Sequence, residues 1–470
     1  MASILRCDVA VIGAGTAGLA AERAARANGA STLLIDPHFN GTTCANVGCM
    51  PSKLLIAASH AAHAARSTDI FGIRVPTVDI DGQAVMQRVR DERDRFARLT
   101  RESIADIPAR VRLRGRARFI ASNSLELDDG RQVEARRIII ATGSSPFIPD
   151  QFAGLGKCLL TNETIFELEH LPVRLAVVGS GPIGLELAQA MARLGVEVTL
   201  FDQNERLGGI RCDKVHDSLK QIIETDLVLK LGVDIDASPT DAGAHLSWSG
   251  GESGQSDFDH VLVATGRPPN LDSLDLAAAG LELDDHGVPV HDRNTMQCGD
   301  SRIFLAGDVA DDLPLLHEAS QDGAIAGRNA VAYPASMQAD RFPHFSITFT
   351  SPPVARIGQS EEDGVITRTA DYSDQGRARV EGRNKGVLTL YAAAPDGRLI
   401  GADLCTPDSE HLAHILTWAI QQGQTASQLL EMPYYHPTIE EGLKQALRTI
   451  CAATPIDLPE DQDRGVPSGA

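Results

Sequence analysis

The chain has no run of 18 or more apolar residues, so it offers no segment able to cross a membrane as a helix. Its N-terminus also lacks the charged region, apolar core and cleavage site of a secretory leader; it passes almost at once into the strand-like Cys7-Asp-Val-Ala-Val-Ile12. These absences predict a soluble, cytoplasmic protein. Positive charge is scarce: 43 Lys and Arg stand against 63 Asp and Glu, a net charge of -20. That argues against nucleic acid or an anionic membrane as partner and leaves a basic protein surface open. Six of the eight cysteines (Cys7, Cys158, Cys212, Cys298, Cys405, Cys451) show no pairing pattern, as expected where thiols stay reduced. No C-x2-C pair is present, and no metal site is expected.

Two cysteines do stand out. Cys44 and Cys49 lie in Gly41-Thr-Thr-Cys-Ala-Asn-Val-Gly-Cys-Met-Pro-Ser-Lys53. Residues five apart on an ideal helix are about 140° apart around the axis, so the two sulfurs cannot meet in a regular turn, and Gly48 supplies the permissive backbone that brings them together. Lys53 shares a helix face with Cys49 and favours its thiolate. The pattern predicts a redox-active dithiol; the plainer alternative is a pair of structural thiols.

At 470 residues the chain is too long for one core, and about 150 residues per domain suggests three units. Two of them announce themselves. Val9-Ala-Val-Ile12 leads into Gly13-Ala-Gly-Thr-Ala-Gly18, an Ala-rich helix and a strand ending at Asp36. The same unit returns as Leu175-Ala-Val-Val178, Gly179-Ser-Gly-Pro-Ile-Gly184, a helix and a strand ending at Asp202, and in both copies the acidic residue follows the first glycine by 23 positions. Gly13 and Gly179 permit the tight turn, Gly15 and Gly181 let backbone amides approach a pyrophosphate, and Gly18 and Gly184 allow the helix to pack on the strand. Two such units predict two dinucleotides. Asp36 and Asp202 are placed to accept hydrogen bonds from a ribose diol. Asp202 would repel a 2′-phosphate and favours NAD over NADP, while Arg206 and Arg211 keep the phosphorylated cofactor as an alternative.

Arg137-Ile-Ile-Ile-Ala-Thr-Gly143 and Val261-Leu-Val-Ala-Thr-Gly-Arg267, with Gly266 at the second nucleotide site, close the two units. Ile303-Phe-Leu-Ala-Gly-Asp308 reads as a late strand returning to the first unit. The charged pattern over 81–107 reads as a solvated surface helix. The expected organisation is 1–150 and 271–339 for the first nucleotide-binding domain and its continuation, 151–270 for the second, 340–455 for an α+β domain, and 456–470 for a Pro-rich, acidic, disordered tail. In the last domain His436-Pro-Thr-Ile-Glu-Glu441 precedes a helical pattern. Thr438 and Glu441 have capping-box spacing; alternatively Glu441 holds His436 in one tautomer as an acid/base for a thiol.

Taken together and in this order, these motifs resemble the class I pyridine-nucleotide disulfide oxidoreductases, whose members include dihydrolipoamide dehydrogenase, glutathione reductase and mercuric reductase. The resemblance covers nearly the whole chain. It implies an α/β fold of two Rossmann-like domains, for FAD and then NAD, plus a C-terminal dimerisation domain. It places Asp36 on the adenosine ribose, Ala117 near the adenine, Thr142 and Gly143 along the cofactor, Asp308 on the ribityl chain, and Leu316 and His317 near the isoalloxazine. It pairs Lys53 with Glu186 beside the flavin, and brings His436, held by Glu441, to the Cys44–Cys49 disulfide of the opposite subunit of a homodimer. Three departures bear on the substrate: Thr42 where the family usually has glycine, Tyr434 and Tyr435 before His436, and Phe349-Thr-Ser-Pro-Pro-Val354, which looks as much like glutathione reductases. The expected activity is oxidation of protein-bound dihydrolipoamide with NAD, in or out of a 2-oxoacid dehydrogenase complex whose basic peripheral domain would dock the acidic surface. The alternatives are reduction of another small disulfide, as in glutathione reductase; reduction of a metal ion, as in mercuric reductase, disfavoured because the tail carries no cysteine pair and no metal-carrier domain precedes the first strand; and a non-catalytic flavoprotein assembly subunit.

Overall fold

The computed structural model describes residues 4–455; the tail expected over 456–470 lies outside them. Among the described residues, four sheets organise the fold. In the first, Ile4–Ile12 is central, with Thr32–Asp36 and then Arg112–Arg114 on one side and Gln132–Ile140 on the other, all parallel. Gln132–Ile140 is shared along its length: its first residues pair antiparallel with Ser124–Leu127 and its last pair with Ile303–Leu305. The chain thus leaves this sheet, builds a second nucleotide unit, and returns. The helix Leu316–Ala332 that follows the return packs on the fingerprint helix Thr16–Ala27. Glycine makes that contact possible: a Cβ on Gly323 would sit 2.1 Å from Ala17 O, and one on Gly327 2.4 Å from Ala21 O.

The second unit is a five-stranded parallel sheet in the order Val228–Leu231, Glu197–Asp202, Arg174–Val178, His260–Val263, Leu159–Leu160. Continuous apolar strands such as Leu-Ala-Val-Val are what a parallel sheet covered on both faces requires. A three-stranded antiparallel meander, residues 233–258, is appended to it. The last sheet is antiparallel, Phe345–Thr348, Val354–Gly358, Arg398–Cys405, Val387–Ala393, Val365–Asp371, and is covered by Ser409–Gln421 and Leu443–Cys451.

The helix Gly82–Ala105 corrects the sequence expectation. It is not solvated all round: Met86 and Val89 are fully buried, with Ala97 and Ile104 close behind, and it packs on the helix Cys49–Arg66. Its single buried stripe is thin, and Arg93 within that stripe is satisfied by Glu167 at 2.5 Å and Asp94 at 2.6 Å. A cation on the buried face hid the amphipathic period.

Candidate active site

The two Gly-rich turns are built alike. Gly13 and Gly179 have φ of +103° and +102°, and a Cβ there would lie 2.3 Å from Ala141 O and 2.4 Å from Ala264 O respectively. At Gly18 and Gly184 a Cβ would fall 1.8 and 1.9 Å from the oxygen of the first glycine. Gly15 and Gly181 have nothing within 4 Å of the same position: these are the open places, each at the N-terminus of a helix, where amides and the helix dipole attract an anion. Both lie on one cavity of about 1140 Å³, above the roughly 300–1,000 Å³ of ordinary ligand sites and shared by both nucleotide units. The arrangement leaves open space for an anion at both glycine turns.

The two terminal aspartates are more occupied than expected. Asp36 accepts hydrogen bonds from the backbone N–H of Ala14 (3.0 Å), His38 (2.9 Å) and Phe39 (2.7 Å), and is not on the cavity wall. Asp202 does line the cavity, yet its carboxylate takes Ser180 N–H at 2.7 Å, Ser180 Oγ–H at 2.6 Å, and Asn204 N–H and Nδ2–H at 2.8 and 3.0 Å. Each carboxylate braces its own glycine turn. Ala117 is buried in the strand Ala117–Ala121 and also stands off the cavity.

Cys44, Cys49, Lys53, Glu186, Gly143, Gly266, Asp308, Leu316 and His317 all line it. Cys44 belongs to a short helix, Thr43–Asn46, and Cys49 opens Cys49–Arg66; the break between them falls at Val47 and Gly48. Gly48 sits close to the preceding helix: a Cβ there would meet Cys44 Cα at 3.1 Å, tighter than ordinary contact. Thr42 caps the short helix by accepting from Ala45 N–H, which accounts for a threonine where the family has glycine. The Cys44 thiol donates to Cys49, and that hydrogen bond, helped by the nearby Lys53 charge against the opposing effect of burial, pulls Cys49 down from 9.0 to about 6. Cys44 is pushed up by the same hydrogen bond and by burial. The two shifts run in opposite directions, Cys49 toward the thiolate and Cys44 toward the thiol.

Lys53 Nζ donates to Glu186 Oε2 at 2.8 Å, and Glu186 Oε1 accepts Phe349 N–H at 2.9 Å. The ammonium also lies 4.4 Å from the centre of the Phe349 ring, a cation–π contact. Glu186 is buried, so the carboxylate fixes a lysine on the cavity wall beside the thiolate. Asp308 accepts Ser144 Oγ–H at 3.1 Å, and Thr142 donates to Asn270 O at 2.7 Å. His317 Nε2 is 3.9 Å from Glu318 Oε1, and neither atom has a hydrogen-bond partner.

His436 is elsewhere. Its Nδ1 lies 3.2 Å from both oxygens of Glu441, its side chain is 60% exposed, and it is absent from the cavity that holds Cys44 and Cys49 in its own chain. Glu441 also accepts Thr438 N–H at 3.0 Å, so the turn-capping and histidine-holding roles coexist on one carboxylate. Tyr434 packs against Lys444, 4.6 Å from the ring centre, and Tyr435 is 85% exposed.

Sequence reasoning passed over a buried group. Arg341 donates to Glu318 at 2.7 Å and Asp322 at 2.6 Å, and Asp322 accepts Gly307 N–H at 3.2 Å, holding the turn before Asp308. Nothing in the local pattern around Arg341 marks that reach.

A family model described as pyridine nucleotide-disulphide oxidoreductase matches residues 7–323, and that family's dimerisation domain matches residues 344–447. The chain belongs to the pyridine nucleotide-disulphide oxidoreductase family. It is 33% identical over 462 residues to a mercuric reductase of Acidithiobacillus ferrooxidans, covering 94% of this chain and 82% of that one. It is 30% identical over 461 residues to a dihydrolipoyl dehydrogenase of Haloferax volcanii, covering 93% and 95%. Among solved structures, the Cu(II) complex of the HOCl-induced flavoprotein disulfide reductase RclA from Escherichia coli matches with a TM-score of 0.80 at 25% identity, over 94% of this chain and 99% of that one. The cofactors of this family are FAD and a pyridine nucleotide, and the dimerisation domain indicates a homodimer. Among the described residues no helix is long and apolar enough to cross a membrane.

Proposed function

We propose that this flavoprotein disulfide oxidoreductase oxidises a dithiol of the dihydrolipoamide class, with Cys44 and Cys49 as the exchanging pair and His436 of the second subunit as the base. The observation that carries this reading is the His436–Glu441 pair. With Nδ1–H donated to Glu441, Nε2 is left as the acceptor on an exposed imidazole. A thiol of ordinary pKa about 8.5 needs such a base before it can attack, whereas a metal cation brings no proton to remove.

Each element then has a task. The substrate thiolate attacks Cys44 Sγ of the oxidised pair, and Cys49 leaves; a leaving thiol with a pKa near 6 departs readily. The second substrate thiol then attacks the substrate sulfur of the mixed disulfide and displaces Cys44, its own proton passing to the departing Cys44 Sγ while His436 keeps the first, and the substrate is released as a disulfide. FAD and the nicotinamide supply the two-electron path that reoxidises the dithiol. Lys53, held by Glu186, keeps positive charge beside Cys49 and the wall the flavin would occupy. Gly13, Gly15 and Gly18 would cradle one pyrophosphate, and Gly179, Gly181 and Gly184 the other. Asp308, Gly143, Leu316 and His317 line the flavin side, and Gly266 and Asp202 the nicotinamide nucleotide side. A lipoyl-bearing protein with a basic docking surface would complement the chain's charge of -20.

The relatives named as mercuric reductases favour metal reduction as a second reading. Steady-state turnover separates the two: NAD with dihydrolipoamide, and NADH or NADPH with oxidised glutathione or Hg(II). Dihydrolipoamide oxidation should dominate; Hg(II)-dependent oxidation of the nucleotide exceeding it would overturn the proposal.

A further inference from the structure

The break between the two cysteine-bearing helices leaves a backbone problem at Val47. In a continued helix its carbonyl would accept from the residue four positions on, which is Pro51 and has no N–H. A carbonyl left without a partner at the half-buried Val47 is costly. The missing donor comes from a distant part of the chain: Asn162 Nδ2–H donates to Val47 O at 3.0 Å. Asn162 is 7% exposed, and its amide is oriented from behind by Arg267, whose Nη1–H donates to Asn162 Oδ1 at 2.9 Å. With the oxygen committed to Arg267, the amide nitrogen must face Val47.

Arg267 has a second hand. Its Nη2 donates to Ser144 O at 2.7 Å and its Nε to Ser144 Oγ at 3.3 Å, which turns the Ser144 hydroxyl proton to Asp308 at 3.1 Å. One guanidinium thus spans the loop between the cysteines and the aspartate of the flavin side. Its position is set by pairing of the two Ala-Thr-Gly segments: Asn270 N–H donates to Gly143 O, Ser145 N–H to Pro268 O and Phe147 N–H to Gly266 O.

We infer that Asn162 and Arg267 are positioning residues for the dithiol: they tether the Val47 carbonyl at the break between the two helices so that the Cys44 thiol stays on Cys49. This rests on reading Cys44 and Cys49 as the exchanging pair. If Val47 O is released, Pro51 still offers it no N–H, so the link between the two helices loses its tether and the two sulfurs shift apart. Cys49 then loses the hydrogen bond that most stabilises its thiolate, while Lys53 and Glu186, on other bonds, stay where they are.

The test is the pH dependence of iodoacetamide alkylation at Cys49 in the reduced, flavin-loaded dimer, followed by peptide mass, with thermal unfolding alongside. The wild type should show a midpoint near 6. Asn162→Ala should raise it by about one unit, a tenfold loss of thiolate preference. Arg267→Lys keeps the charge but cannot span both Ser144 and Asn162, and should raise it by less. An unchanged midpoint with a lowered unfolding temperature would mean the contacts are only structural and would overturn the inference. If Asn162→Ala yields no folded protein, the Arg267→Lys midpoint alone decides. A wild-type midpoint near 9 would instead sink the dithiol reading itself.

Discussion

The first and second Gly-rich turns match within a few tenths of an ångström in the clearances of their glycines, yet their terminal aspartates differ in what surrounds them. Asp36 accepts three backbone amides, one from the glycine turn and two from the loop that follows it, and does not border the shared cavity. Asp202 is braced by Ser180 and Asn204 but still borders open space, a side cavity of about 690 Å³ lined also by Arg206, Gly208, Gly209 and Arg211. The same motif can therefore finish a turn or finish a site. Glycines dictate the turn through space and φ; what binds depends on which groups reach the cavity beyond it.

The sharpest way to break the comparison is to close one turn at a time. Gly18→Ala and Gly184→Ala each put a methyl within 1.8 or 1.9 Å of a backbone oxygen, and overpacking of this kind costs about 1–3 kcal/mol or more. Gly18→Ala should lose bound flavin, seen as loss of visible absorbance in the purified protein. Gly184→Ala should keep the flavin and lose reduction by NADH. Equal flavin loss in both would show that the two units do not serve different nucleotides.

Next in size is a change that leaves both turns alone. His436→Gln should lower dithiol turnover about 100 to 10,000-fold, the usual worth of a general base, while NADH oxidation by an artificial electron acceptor continues. Loss of both activities together would make the histidine structural. Glu441→Ala should lower dithiol turnover less, and should also destabilise the fold by about 0.5–2 kcal/mol through the lost contact to Thr438 N–H.

The nucleotide turns, the dithiol and the late return strand were legible in the sequence because each is fixed by local requirements: a φ that only glycine adopts readily, a spacing of two sulfurs, an apolar run ending in Ala-Gly-Asp. Asp36 and Asp202 were legible as strand ends but not as braces, because the amides they accept come from loop conformations that spacing does not specify. Asn162 and Arg267 were missed for a different reason. Asn162 solves a problem created at Pro51, more than a hundred residues away, and only the folded chain brings donor and carbonyl together. The helix Gly82–Ala105 misled because Arg93 occupies its buried stripe, with Glu167 from outside the helix as a partner.

A smaller effect should appear in the stability of the reduced chain. Cys49 is held near 6 against 9.0 when unfolded, so its contribution is full above pH 9 and is lost as pH falls through 6. Cys44, pushed up, contributes below pH 9 and loses its contribution as pH rises. Denaturant unfolding of the reduced protein should therefore gain stability between pH 6 and 9 relative to Cys49→Ser. Parallel curves for the two proteins would remove the thiolate from the site.

The smallest expected effect sharpens the contrast between the aspartates. Arg206 is spent on Ile210 O, Arg211 O and Asp213, which leaves Arg211 as the cation with reach into the side cavity beside Asp202. An exposed charge pair is worth about 0.2–1 kcal/mol, or roughly 1.4- to 5-fold in binding. Arg211→Ala should therefore raise the KM for NADPH by that factor and leave the KM for NADH unchanged, since NADH carries no 2′-phosphate. The wild type should still prefer NADH, because the Asp202 carboxylate remains at the cavity edge whatever its brace. A wild type that prefers NADPH, together with a large loss on Arg211→Ala, would reverse the assignment: the aspartate would then be only the brace of its turn, and the arginine would be the residue that selects the nucleotide.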